Sequence, residues 1–200
     1  MKMFKRILAV LLIVIGILMI ISVFMPKSVH VQRSVKVNAP VSIVYDQVCT
    51  LKNWEQWSPW YKAEPDMKLT YNNIPSGKGA SYSWVGKTNG EGTLTIIDCQ
   101  QNERIVTALD FKGQGRSTGG FTLAPNTGGL EVVWFMDMTP GMNPLAKYMT
   151  YMFKGMLEKQ FDEGLQGIKQ IVEAKAKEQP AATTPATLDS TTVDSTIIAQ

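Results

Sequence analysis

Few residues of this 200-residue chain could carry acid–base or nucleophilic chemistry. His30 is the only histidine, so a Ser/His/Asp or Cys/His arrangement would have to use it, and it falls on the first predicted strand. Cys49 and Cys99 lie on apolar segments, where thiols are more often separate and buried than bridged, although the sequence leaves both states open. We therefore assign no catalytic residue.

The sequence carries no motif for a metal or a dinucleotide cofactor. No spacing of His and Cys residues fits a zinc site. The run Gly113-Gln114-Gly115 fails the dinucleotide-binding pattern, because Thr118 stands where that pattern needs its third glycine. The sequence predicts neither a metal nor a cofactor.

Carboxylates are the remaining candidates for proton transfer. Asp98, Asp110, Glu131 and Asp137 all fall on predicted strands. One that points inward could act as a general acid or base, with its pKa raised by burial. Their alternation with apolar neighbours instead favours a solvated outer face.

The element best able to position a site is a long helix predicted from Asn143 to about Lys177. Asn143 can cap it, and Pro144 suits its first turn, where a missing N–H costs nothing. Apolar residues recur at helical spacing along its length. A helix this long must bury that face against something large.

The preceding chain supplies a sheet. A strand at 29–37 is followed by a helix at 41–50 and a second short helix at 51–61. Turn residues then separate six further predicted strands, at 67–71, 80–85, 92–99, 104–111, 117–123 and 130–138. This order predicts an α+β fold in which a curved antiparallel sheet wraps around the final helix.

The N-terminus predicts a membrane anchor. Residues 7–25 contain no charge and, as a helix, would span roughly 28 Å, which suits a bilayer better than the shorter apolar region of a cleaved signal peptide. Lys2, Lys5 and Arg6 favour a cytoplasmic N-terminus and an extracytoplasmic domain. We expect an anchor at 1–26, one folded domain at 27–179 and a disordered Thr/Pro-rich tail at 180–200.

The charge balance argues against nucleic-acid binding. The chain has 20 basic and 17 acidic residues, and the three basic residues before the apolar segment account for the whole excess. A neutral remainder without a basic run offers nothing to pair with phosphates.

Short motifs carry a family resemblance. Asn38-Ala39-Pro40, Val44-Tyr45 and the run LKNWEQWSPW from Leu51 to Trp60 resemble the SRPBCC superfamily, the START-like, polyketide cyclase/dehydrase and lipid-transport group with a helix-grip fold. The resemblance covers about residues 28–174. With its N-terminal anchor, the chain looks most like a membrane-anchored bacterial branch of that group.

The resemblance implies a cavity for an apolar ligand between the sheet and the long helix. Candidate ligand-binding residues are the large apolar side chains of the sheet, the short helices and the long helix: Trp57, Tyr82, Trp84, Leu109, Phe121, Trp134, Met136, Met149, Met152, Phe153 and Met156. Methionine suits the wall of such a cavity because it adapts to irregular shapes, although it also fills ordinary cores.

Three tryptophans follow one another at a spacing of three residues. We expect Trp57 to pack inward and at least one of Trp54 and Trp60 to lie near the cavity mouth or the membrane surface. A staple between the short helices and the sheet is the alternative role.

Three functions remain open. The first is a non-enzymatic, membrane-anchored module that binds a lipid or other hydrophobic small molecule, its protein partners unknown. The second is a cyclase/dehydrase-like enzyme that uses a cavity carboxylate or a bound water. The third is a structural or regulatory partner domain with a filled core.

Overall fold

The computed structural model describes residues 2–26, 28–112, 115–139 and 144–178. A long N-terminal helix precedes a strand, three short helical segments, six further strands and a long C-terminal helix. In chain order these are α1 (Lys2–Phe24), β1 (Val29–Val37), α2 (Val41–Cys49), a 3₁₀-helix (Leu51–Gln56), α3 (Pro59–Ala63), β2 (Lys68–Tyr71), β3 (Ser81–Val85), β4 (Glu91–Gln100), β5 (Arg104–Phe111), β6 (Gly115–Asn126), β7 (Gly129–Met138) and α4 (Pro144–Glu178).

The seven strands form one curved antiparallel sheet in the order β1-β7-β6-β5-β4-β3-β2. β1 pairs with β7 from Val29 opposite Met138 to Val37 opposite Leu130, so the first strand lies beside the last. The other strands form a meander. This arrangement confirms the predicted α+β fold of the helix-grip type, with a long C-terminal helix and an apolar helix at the N-terminus.

One predicted helix is divided. Residues 51–61 form the 3₁₀-helix and then α3, with a break at Trp57 and Ser58. Pro59 cannot donate a backbone N–H into a preceding turn, so it begins a new helix, and the Ser58 side chain caps that helix by accepting from Tyr61 N at 3.4 Å. The predicted Asn143 cap and the predicted tail lie outside the described residues.

The second half of α4 packs into the sheet. Phe161, Leu165, Ile168 and Val172 are buried and recur at helical spacing. Burial of side chains of this size stabilises the fold by roughly 1.5–3 kcal/mol each. This half of α4 is therefore the part that the sheet grips.

Polar contacts fix the direction of α4 from Glu158 onward. Arg33 of β1 donates to Glu158 at 3.0 Å, and Lys169 Nζ donates to the carbonyl of Lys36 at 2.9 Å. Farther along, Lys175 Nζ donates to the side-chain oxygen of Gln47 at 2.7 Å. The Arg33–Glu158 ion pair is partly exposed and stabilises little, so the three contacts chiefly set the register of α4 against β1 and α2.

Aromatic rings join the sheet to the helices. Trp134 of β7 stacks on Phe161 of α4 with ring centroids 4.1 Å apart and on Phe121 of β6 at 5.1 Å. Trp57 and Trp60 each meet Trp134 edge to face, at 5.3 and 5.6 Å. Trp57 is fully buried, as expected, and its indole N–H has no hydrogen-bond partner among the described residues. Trp134 is therefore the centre of the core.

Candidate ligand-binding cavity

An open cavity of about 340 Å³ lies between the sheet and α4. Alternate residues of three strands form much of its wall, because side chains two apart share a face of a strand. β3 contributes Tyr82 and Trp84, and the alternating residues of the other two strands are Thr107, Leu109 and Phe111 from β5, with Trp134, Met136 and Met138 from β7. The volume lies within the range usual for small-molecule sites.

The structure brings seven of the eleven sequence candidates together on this wall. They are Tyr82, Trp84, Leu109, Trp134, Met136, Phe153 and Met156. Trp57 and Phe121 are fully buried in the core and do not line the cavity. Met149 and Met152 lie on the exposed side of α4, with Met152 77% exposed. Whether any of these residues contacts a ligand stays a prediction.

Other wall residues were missed by sequence reasoning. Phe111, Met138 and Thr107 continue alternations that already included Leu109 and Met136, so the period of two was a usable signal. Trp54 and Trp60, of which at least one was expected near the cavity mouth or the membrane surface, both line the cavity, whereas Trp57 lies in the core. Gln160 shares the helix face of Phe153 and Met156, but its polar amide gave no signal for an apolar wall.

The wall is apolar with a few polar groups. Thr107 is almost fully buried, and burial alone raises the pKa of the Tyr82 hydroxyl. Arg116, at the open edge, is paired with Asp110 at 2.9 Å, and its side chain is largely exposed. None of the described wall residues is a carboxylate. The groups present can orient one polar end of an apolar molecule by hydrogen bonding, but they supply no carboxylate base.

The titratable residues considered from sequence lie elsewhere. His30 contacts Asp137 at 2.7 Å, and this contact raises the pKa of the exposed imidazole. Glu131 accepts a hydrogen bond from Asn126 at 3.3 Å. Neither this pair nor the His30 pair lines the cavity. Among the residues that the structure describes, no three metal-ligating side chains come together.

The two cysteines are free thiols that meet near the hydroxyl of Tyr45. Burial raises the pKa of the Cys49 thiol, so it is protonated at neutral pH. A protonated thiol is a poor nucleophile, and neither cysteine lines the cavity.

One end of the cavity wall depends on a buried carboxylate. Glu64, just after α3, accepts hydrogen bonds from the backbone N–H groups of Asn89, Lys87 and Thr88, which form the β3–β4 turn. Asn89 lines the cavity and accepts from the indole of Trp84 at 3.2 Å. Glu64 therefore holds the turn that positions this part of the wall.

These hydrogen bonds lower the pKa of Glu64 below its ordinary value of 4.5, the backbone N–H of Asn89 being the largest cause. A lowered pKa stabilises the fold above pH 4.5, and that contribution is lost as the pH falls below 4.5. We expect Glu64→Gln to reduce the melting temperature at pH 7 and to flatten its decline between pH 5 and pH 3. Thermal unfolding in a mild detergent measures both, with Glu103→Gln in the exposed β4–β5 turn as the control. Equal effects of the two substitutions would contradict this role.

The family model described as polyketide cyclase / dehydrase and lipid transport matches residues 28–173. The chain belongs to this family. Membership confirms the resemblance to the SRPBCC superfamily and agrees with the helix-grip fold around the cavity. A search of curated proteins returned no match.

Solved structures share the fold of this polyketide cyclase/dehydrase and lipid-transport domain. A Staphylococcus aureus protein of unknown function is 13% identical with a TM-score of 0.57, over 76% of this chain and 98% of that one. The Aha1 dimer from Colwellia psychrerythraea is 12% identical with a TM-score of 0.52, over 72% and 96%. The di-domain aromatase/cyclase StfQ of the steffimycin pathway is 16% identical with a TM-score of 0.57, over 76% of this chain and 52% of StfQ.

Proposed function

We propose that this chain binds a lipid or another hydrophobic small molecule in the cavity while α1 holds the domain at a membrane. The observation that carries the proposal is the cavity itself, an open space of about 340 Å³ with aromatic, leucine and methionine side chains on its wall. Thr107 and the Tyr82 hydroxyl are among the polar groups of the wall that would orient an apolar ligand.

Membrane anchoring is supported by the character of α1. An 18-residue stretch within Met3–Phe24 has a mean hydropathy of 3.3, and the helix is long enough to cross a bilayer. Its large apolar side chains are exposed, whereas a core helix would bury them. Lys5 and Arg6 lie at its N-terminal end, before the uncharged run that begins at Ile7, so we infer a cytoplasmic N-terminus and an extracytoplasmic domain.

The alternative functions have less support. A cyclase/dehydrase-like enzyme would place a general acid or base at the cavity, and the described wall holds no carboxylate for that role. A partner domain with a filled core would lack the cavity. The similarity to StfQ extends to the fold, and an activity does not follow from a fold.

Filling the cavity tests the binding proposal. Leu109→Trp places an indole in the space, and we expect it to reduce retention of a bound apolar molecule by at least about tenfold, equivalent to roughly 1.4 kcal/mol. Native mass spectrometry of the full chain released from phosphatidylcholine nanodiscs measures the fraction that retains one apolar molecule. Ile97→Trp, an exposed aliphatic position on neighbouring β4, is the matched control. Equal retention by a folded Leu109→Trp variant, or none by the parent chain, would count against the proposal.

A further inference from the structure

The first half of α4 carries a stripe of apolar side chains that the described elements leave exposed. Met149, Met152, Phe153 and Met156 recur at the spacing of one helix face, and their exposed fractions lie between 42% and 77%. The second half of the same helix buries its apolar face in the sheet. This change along one helix indicates that the two halves lie in different surroundings.

The same half of α4 is joined to α1. Lys147 Nζ donates to the carbonyl of Ser22 at 2.9 Å, and the Tyr148 hydroxyl donates to the carbonyl of Leu18 at 2.7 Å. Lys147 and Ser22 are both buried by this contact. The last turn of α1 contains no basic residue, so Lys147 supplies the positive charge that favours a helix C-terminus. The contact places the first turns of α4 beside the last turns of α1.

The two carbonyls that accept these hydrogen bonds show how far from the end of α1 the first turns of α4 lie. Leu18 and Ser22 lie six and two residues before Phe24, the end of α1, so along an upright helix they are about 9 and 3 Å from its end. An amphipathic helix at a bilayer surface buries its apolar face by about 5–10 Å. With Phe24 at the bilayer boundary, the first turns of α4 would lie at the depth of an interfacial helix.

We propose that the first half of α4 lies in the membrane leaflet where α1 ends, with the apolar stripe against acyl chains. Phe153 and Met156 belong both to this stripe and to the cavity wall, so the cavity opens into the same leaflet. A ligand then enters from the acyl-chain layer without crossing water. It is therefore a membrane lipid or another molecule dissolved in the acyl-chain layer. This inference rests on the proposed anchoring by α1 and adds the source of the ligand.

Photo-crosslinking tests the location of the stripe. The photoreactive residue p-benzoylphenylalanine replaces Met152, or Met149 as a second position, in the full chain reconstituted in phosphatidylcholine vesicles. Gln166 is the control on the same helix, because it is exposed and lies about 21 Å farther along α4. The exposed Ile13 in the middle of α1 reports anchoring separately. After irradiation, intact mass measures a lipid-sized addition to the chain.

We expect the lipid addition at Ile13, Met149 and Met152 and its absence at Gln166. Addition at Ile13 without addition at the two methionines would overturn the inference and leave the anchor in place. Absence at Ile13 as well would overturn both the inference and the proposed anchoring. A crosslink from Met152 to a second copy of the chain, in place of lipid, would also overturn the inference.

Discussion

Replacing Trp134 with alanine is expected to lower the free energy of unfolding by about 3–5 kcal/mol. Trp134 is nearly fully buried and stacks between Phe161 of α4 and Phe121 of β6. Alanine removes the indole from both stacks and leaves a void at the point where the sheet meets the helix. The surrounding rings are held by several other contacts, so they cannot collapse fully into that void.

Urea unfolding of the full chain in a mild detergent measures this loss. Trp134→Phe keeps an aromatic ring in the stack and is expected to cost less than the alanine variant. Val133→Ala, on the opposite face of the same strand, is the positional control. A loss for Trp134→Ala no larger than that for Val133→Ala would show that the ring stack does not join sheet and helix energetically.

The second large loss of stability is expected when Gly164, where α4 crosses Trp134, is replaced. A Cβ atom at this position would lie 2.6 Å from Cζ3 of Trp134 and 3.3 Å from the ring of Pro59. The indole is stacked on both faces and cannot move aside without loss of those contacts. Gly164→Ala should therefore destabilise the fold by about 1–3 kcal/mol, although alanine is the better helix former.

Gly155 on the same helix is the matched control. A Cβ atom there meets nothing within 4 Å, so Gly155→Ala gains helix propensity without a clash and should stabilise the chain by about 0.5–1 kcal/mol. The same substitution thus has opposite signs at two positions of one helix. If the urea midpoint rose for both variants, the close packing of α4 on Trp134 would be wrong.

The sequence predicts the parts of this fold that depend on local periodicity. Alternation along β7 places Trp134 and Met136 on one face, and both lie on the cavity wall. Helical spacing predicts the face of α4 that carries Phe161 and Leu165, which the sheet buries. Such patterns are fixed by the geometry of a single element, so they can be recognised without knowing its neighbours.

The parts of the fold and of the cavity that the sequence does not predict depend on contacts between distant elements. The apolar pattern of α4 is similar along its whole length, so it cannot tell where the sheet ends and where Met152 becomes exposed. Phe121 lies on the concave side of β6, but the rings of Trp54, Trp57 and Trp134 separate it from the cavity. The bond from Lys147 to Ser22 joins residues far apart in the chain, and no local pattern encodes it.

The pairing of β1 with β7 determines when this domain can complete its folding. β1 is the first strand to be synthesised. Because Val29 pairs with Met138, β1 cannot pair with β7 until most of the chain has been made. Pairing over so long a separation closes a large loop and is a slow, late step. Until then β1 presents an unpaired edge next to the membrane segment, where it is open to mispairing with other nascent chains. We expect the meander from β2 to β7 to form first and β1 to be added last.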